Sequence, residues 1–360
     1  RVEQERHLGF LLILFTISKH KMASGKIVFG ISCGDVNGVG IEIIIKAFLD
    51  GKLLQHGTPV LYAPLAVIKF YQKTLGYTHF DYNEITKVQD AKQNQFNVVN
   101  ISCDKIIVTP GKASKLSGEV ALNSLDYTIR DLKLNLIDIL VTLPINKKTV
   151  SFFQNNFVGH TEYLLQNFDS QNNCLMFLCS NQIKVATLTN HTPISTLADC
   201  ITPNLLKEKT EILLESLRKD FLLSKPRVAV LGLNPHAGDS GLIGLEELKI
   251  IEPAVKSFSD SGDLVYGPYS ADAFFGSGNY KNFDAVLGMY HDQSLIPFKF
   301  LSFGSGVNYT AGLPVVRVSP DHGVAYDIAG LGKADPNSLI ASIYLAIKIY
   351  NNRLHSFKKR

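Results

Sequence analysis

Short β-branched apolar runs alternate with longer stretches of helical periodicity along most of the chain. Residues 27–32, 60–62, 137–141, 183–188, 227–233, 285–289 and 315–318 read as strands, being apolar segments too short for a core helix. Residues 41–49, 66–75, 119–132, 161–168, 203–217, 245–258 and 338–350 carry apolar positions at helical spacing and read as helices. Such alternation predicts an α/β fold, a largely parallel sheet wound through crossover helices. Residues 77–115 lack a clear period and are expected to form a meander of strands and loops. No internal repeat or low-complexity tract interrupts the pattern.

At 360 residues the chain exceeds what one hydrophobic core usually supports, so two lobes are expected. With 46% hydrophobic and 19% charged residues it has ample surface to bury and no compositional case for disorder. Thirty-six basic and 32 acidic residues leave a formal charge of +4 spread along the chain, which argues against nucleic-acid or membrane partners. Five cysteines, without a CxxC pair, fit neither a disulfide framework nor a zinc finger, and a cytoplasmic location is expected. Residues 1–21 hold a short apolar run, Leu8 to Ile17, between Arg6 and Lys19. It is too short to span a bilayer and is read as an upstream extension.

Three histidines share one context: His191, His236 and His291 each stand two or three residues beyond a strand end. Loops at the carboxyl ends of strands converge in open α/β sheets, so these imidazoles could meet, with Asp239, Asp272 or Asp292 nearby, around Zn²⁺ or another divalent ion. Each could equally hydrogen-bond its own loop, and spacing alone does not decide between the two. A second group is cationic and polar. Lys299, Asn308 and Arg317, with His160 and Thr161 at a helix start, have the makings of an anion site. Arg317 interrupts the apolar run 313–318, where an unpaired charge would be costly. The segment Gly34–Glu42 (GDVNGVGIE) lacks the third glycine of a dinucleotide fingerprint, residue 43 being Ile, and is read as a tight turn approaching a ligand. The cofactor-binding residues are left unassigned, although the glycines of 303–308 and 319–323 also suggest a close backbone approach.

Read in order, GDVNGVGIE (34–42), TLPINK (142–147), GHTEYL (159–164), LNPHAGDSG (233–241), GPYSAD (267–272), YHDQ (290–293) and GVNYTAGLPVVRVSPDHGVAYDIAG (306–330) resemble the 4-hydroxythreonine-4-phosphate dehydrogenase family. The likeness runs from about Lys26 to Ile349. It departs from the family's pattern where Val36 and Ile41 replace the commoner proline.

The resemblance implies a two-lobed fold like that of isocitrate and isopropylmalate dehydrogenases, with residues 22–140 plus 305–360 in one lobe and 141–304 in the other. It implies His191, His236 and His291 as metal ligands and His160, Thr161, Lys299, Asn308 and Arg317 as substrate-binding residues. Asp272 and Asp292 are the candidates for the general base. Zn²⁺, with Mg²⁺ or Co²⁺ as alternatives, would serve with NAD or NADP in a homodimer whose sites draw on both chains. The implied reaction oxidises 4-phosphooxy-L-threonine and decarboxylates it to 3-amino-2-oxopropyl phosphate for pyridoxal phosphate synthesis. Rival readings are a dehydrogenase of a related acid such as a phosphothreonate or phosphoerythronate, a three-histidine metallohydrolase, and a phosphometabolite-binding module.

Overall fold

The computed structural model describes residues 26–102, 106–155, 157–168 and 174–358, so the extension at 1–21 lies outside the described residues. The elements run β1 (Val28–Ser32), α1 (Gly40–Phe48), β2 (Thr58–Ala63), α2 (Leu65–Leu75), β3 (Asn83–Ile85), β4 (Asn97–Asn100), α3 (Lys115–Lys133), β5 (Ile139–Thr142), α4 (Lys147–Val150) and α5 (His160–Asn167). After these come β6 (Leu175–Cys179), β7 (Lys184–Thr187), α6 (Leu197–Cys200), α7 (Pro203–Lys219), β8 (Arg227–Leu231), α8 (Glu252–Asp260), β9 (Leu264–Tyr269), α9 (Ala271–Gly276), β10 (Ala285–Gly288), α10 (His291–Ser302), β11 (Val307–Ala311), β12 (Val316–Pro320) and α11 (Asn337–Lys358). Every strand and helix expected from the pattern is present, and β3 and β4 lie in the stretch without periodicity. Helix α10 was hidden by Pro297, which sits inside it and breaks a helical reading. His291, expected in a loop, is therefore the first residue of a helix.

Twelve strands form one sheet in the order β3-β4-β2-β1-β5-β12-β11-β6-β7-β10-β8-β9. Pairings are parallel except around the centre, where β11 runs antiparallel to both β12 and β6, and β6 runs antiparallel to β7. Alternation along the strands splits the side chains between two apolar layers. Val228 and Val230 of β8 join the large cluster that includes β1, β2 and β5, while Ala229 and Leu231 point into a smaller one with Val286, Phe274 and Phe298. Burial on both faces explains why the strands read as continuous apolar runs.

The glycine-rich motif after β1 proves to be an internal lock, which corrects the ligand-turn reading. At Gly34, φ is +64°, and a Cβ there would lie 2.3 Å from the Pro144 carbonyl oxygen. A Cβ on Gly38 would meet the Val324 carbonyl oxygen at 2.8 Å. The backbone approach is thus to the chain itself. Asp35, buried, accepts hydrogen bonds from the Ser117 hydroxyl and the Tyr326 hydroxyl at 3.1 and 2.6 Å. Glu42, also buried, accepts from Lys46 and from the Ala334 amide. We expect Gly34→Ala to destabilise the protein by more than ~2 kcal/mol, since the left-handed backbone and the carbonyl contact both penalise a side chain. An unchanged thermal midpoint would contradict this.

Candidate active site

Strands β7, β10 and β8 are adjacent and parallel, so their carboxyl ends bring His191, His291 and His236 to one rim. Two polar side chains tie these ends together. Thr189 donates its hydroxyl to the Met289 carbonyl at 2.8 Å, linking the ends of β7 and β10. Gln293 accepts from the Met289 amide and donates to the Gly232 carbonyl, both at 2.7 Å, linking β10 to β8. The rings of His191 and His291 are consequently 6.1 Å apart, centre to centre. His236 stands on the same rim, but among the described residues of one chain no three His, Cys, Asp or Glu side chains are grouped closely enough to hold a metal.

His236 occupies an unusual backbone. Residues 236–240 all have positive φ, and four of the five are not glycine. Such conformations cost about 1–2 kcal/mol per residue and persist only where surroundings impose them. Glu247, buried, anchors the entry to this loop, accepting from the amides of Leu233 and Asn234 at 2.7 Å and from the Asn234 side chain at 2.9 Å.

The two carboxylates expected near the metal differ in commitment. Asp292 is bonded to Nδ1 of His291 at 2.7 Å, which leaves Nε2 of that ring free. Asp272, exposed at the start of α9, accepts from the Ser270 hydroxyl at 2.6 Å, and that bond holds its carboxyl below the usual range. Burial first, then Lys147, lowers the pKa of His191. A neutral imidazole is the form that binds a cation.

The anion group is resolved more sharply. Arg317 on β12 is only 3% exposed, and its guanidinium donates to the hydroxyl of Thr142 at 2.7 and 3.1 Å and to that of Thr310 at 3.0 Å. Among the described residues no carboxylate pairs with it. Burial pushes it down to about 10. Asn308 lies two residues before Thr310 on β11, on the same strand face. His160 and Thr161 open α5, whose first amides have no side-chain cap. The His160 Nε2 is buried with no partner, and burial, then Arg317 and Lys147, keeps this ring well below its ordinary pKa. Lys299 lies 3.8 Å from Asp321. Residues missed from sequence are the neutral or loop-bound partners: Thr142, Thr310, Gln293, Glu247, and the charged pair Lys147 and Glu162 beside Gly159.

A buried cation with no ion-paired carboxylate among the described residues, in the same sheet as paired imidazoles at its rim, suits an enzyme for a small anionic substrate. The chain matches the model of the family described as pyridoxal phosphate biosynthetic protein PdxA over residues 55–346. It is 46% identical over 332 residues to 4-hydroxythreonine-4-phosphate dehydrogenase of Bacteroides thetaiotaomicron, covering 92% of this chain and 91% of that one. The crystal structure of the enzyme of that name from Klebsiella pneumoniae is 31% identical, with a TM-score of 0.76, covering 91% of this chain and 98% of its own. That from Burkholderia phymatum is 30% identical with a TM-score of 0.72, covering 91% and 99%. The chain belongs to the PdxA family and is an oxidoreductase of pyridoxal phosphate biosynthesis.

Proposed function

We propose that the protein oxidises 4-phosphooxy-L-threonine with NAD or NADP and decarboxylates it to 3-amino-2-oxopropyl phosphate, as a metal-dependent cytoplasmic homodimer. The observation that carries this reading is the buried, uncompensated Arg317 beside the unpartnered His160 Nε2 and the uncapped start of α5. Such a set of groups suits a phosphoryl group, which brings its own negative charge and several acceptor oxygens. Thr161, Asn308 and Lys299 would complete the hold on that end and fix C3 for reaction.

His191, His236 and His291 would hold the divalent ion, Zn²⁺ or else Mg²⁺ or Co²⁺, which when bound would supply Lewis-acid polarisation of the substrate hydroxyl. Asp292 would serve by fixing the His291 ring, and Asp272 is an exposed carboxylate near His236 that accepts from Ser270. Among the described residues one chain pairs His191 with His291 and groups no third ligand with them, so a further contribution would come across a dimer interface. In support of such an interface, Ile296, Phe300 and Phe303 form an exposed apolar stripe on and just after α10, 66, 88 and 91% exposed, in the helix that starts with His291.

The expected result is growth of reduced-nicotinamide absorbance when phosphooxythreonine and NAD⁺ or NADP⁺ are supplied. Dialysis against a chelator should cut the rate at least about tenfold, with recovery on adding Zn²⁺, Mg²⁺ or Co²⁺. Release of inorganic phosphate without nicotinamide reduction would instead indicate a hydrolase, and reduction only with a phosphothreonate would transfer the reading to that acid.

A further inference from the structure

Two opposite charges beside Gly159, next to His160 of the anion group, are left unspent by the fold. Glu162 is in the first turn of α5 and Lys147 is the first residue of α4, whose amides are capped by Asn146. A Cβ built on Gly159 would lie 3.1 Å from a Glu162 carboxylate oxygen and 3.7 Å from the Lys147 ammonium. Both charged ends therefore border the space that the missing side chain keeps open. Among the described residues neither makes a hydrogen bond or ion pair, to each other or to any neighbour. Glu162 is half-buried, and its charge acts on both Arg317 and His191. It is thus within electrostatic reach of both the buried guanidinium and the rim imidazole.

We infer that Glu162 is the catalytic proton acceptor of the oxidation. This deepens the dehydrogenase reading and rests on it. As the C3 hydroxyl O–H bond breaks, its proton passes to a Glu162 oxygen. The C3–H bond breaks with its electron pair, which reduces the nicotinamide, and C3 becomes a ketone carbon. The two carboxylates indicated by sequence are less suited, because Asp292 is spent on His291 and Asp272 on Ser270. Among the described residues Glu162 alone of the three has both oxygens free, and one of them borders the open space at Gly159. A proton acceptor has to reach the hydroxyl of a substrate anchored there.

The test uses the intact enzyme with its metal restored. In single turnover, Glu162→Gln should slow hydride transfer by about 100- to 10,000-fold. Its calorimetric Kd for phosphooxythreonine should stay within about threefold of the wild-type value, since a neutral amide keeps the shape but takes no proton. Glu162→Asp, a shorter base, should recover at least about tenfold over the Gln variant, which a merely structural role would not produce. A Gln variant within tenfold of wild type, or one whose loss lies wholly in Kd, would overturn the assignment while leaving the dehydrogenase reading intact. A wild-type enzyme that binds phosphooxythreonine but reduces no nicotinamide would instead sink that reading, and this inference with it.

Discussion

Replacing Arg317 with methionine should raise the KM for the phosphorylated substrate by on the order of 100-fold or more, the scale expected when one partner of a buried charge pair is removed. The same substitution should leave the ligand-free protein at least as stable as wild type. In the free protein the guanidinium is buried against two threonine hydroxyls, with no ion-paired carboxylate among the described residues. Holding an uncompensated charge out of water costs several kcal/mol, and a flexible apolar side chain of similar length avoids that cost. Loss of its contacts to Thr142 and Thr310 works in the opposite direction, though each hydroxyl can reorient towards another acceptor. Inorganic phosphate should therefore raise the melting temperature of the wild-type protein and not that of the variant. A variant that melts well below wild type, or that keeps its KM, would show that Arg317 is structural.

That Arg317 could be singled out beforehand follows from its setting, because a lone charge inside an apolar run violates the strand pattern around it. The three histidines were legible for a similar reason: each follows a strand that the pattern marks clearly, and the α/β architecture puts such ends on one rim. Their ties were not legible. Thr189 and Gln293 are ordinary loop and helix residues until the register of β7, β10 and β8 is known. Strand β9 was missed because Gly267-Pro268 lies within it, and Gly and Pro ordinarily signal a break. Glu162 and Lys147 gave no signal either. Polar residues at helix starts are normally solvated, and only the bare Cα of Gly159 between them reveals that they border a common space. Gly34 and Gly38 misled in the opposite sense. Glycine permits a close approach, but sequence does not say whether a ligand or the chain itself is being approached.

The largest stability effect should come from Asp220, at the end of α7, whose replacement by alanine is expected to cost about 3–5 kcal/mol. Its carboxylate is 2% exposed and takes the hydroxyls of Ser216 and Tyr309 at 2.8 and 2.5 Å and Nε of Arg353 at 2.7 Å. Arg353, near the end of α11, also donates to the Tyr309 hydroxyl at 2.8 Å and to the Leu313 carbonyl at 3.2 Å. One buried carboxylate thus joins α7, α11 and β11, three elements far apart in the sequence. Removing it leaves a buried guanidinium and a buried phenol that have lost their acceptor, which is a larger penalty than the pair's net contribution. The double variant Asp220→Ala/Arg353→Met should accordingly recover much of the loss, because no charge is then left unpaired. Consequences for the site follow from strand alternation: Tyr309 points into this network while Asn308 and Thr310, its neighbours on β11, present the opposite face toward Arg317. Loosening Tyr309 should therefore weaken substrate binding as well as folding, and chemical denaturation alongside substrate titration separates the two effects. A single variant that loses less than about 1 kcal/mol, or a double variant less stable than the single one, would refute this account of the buried network.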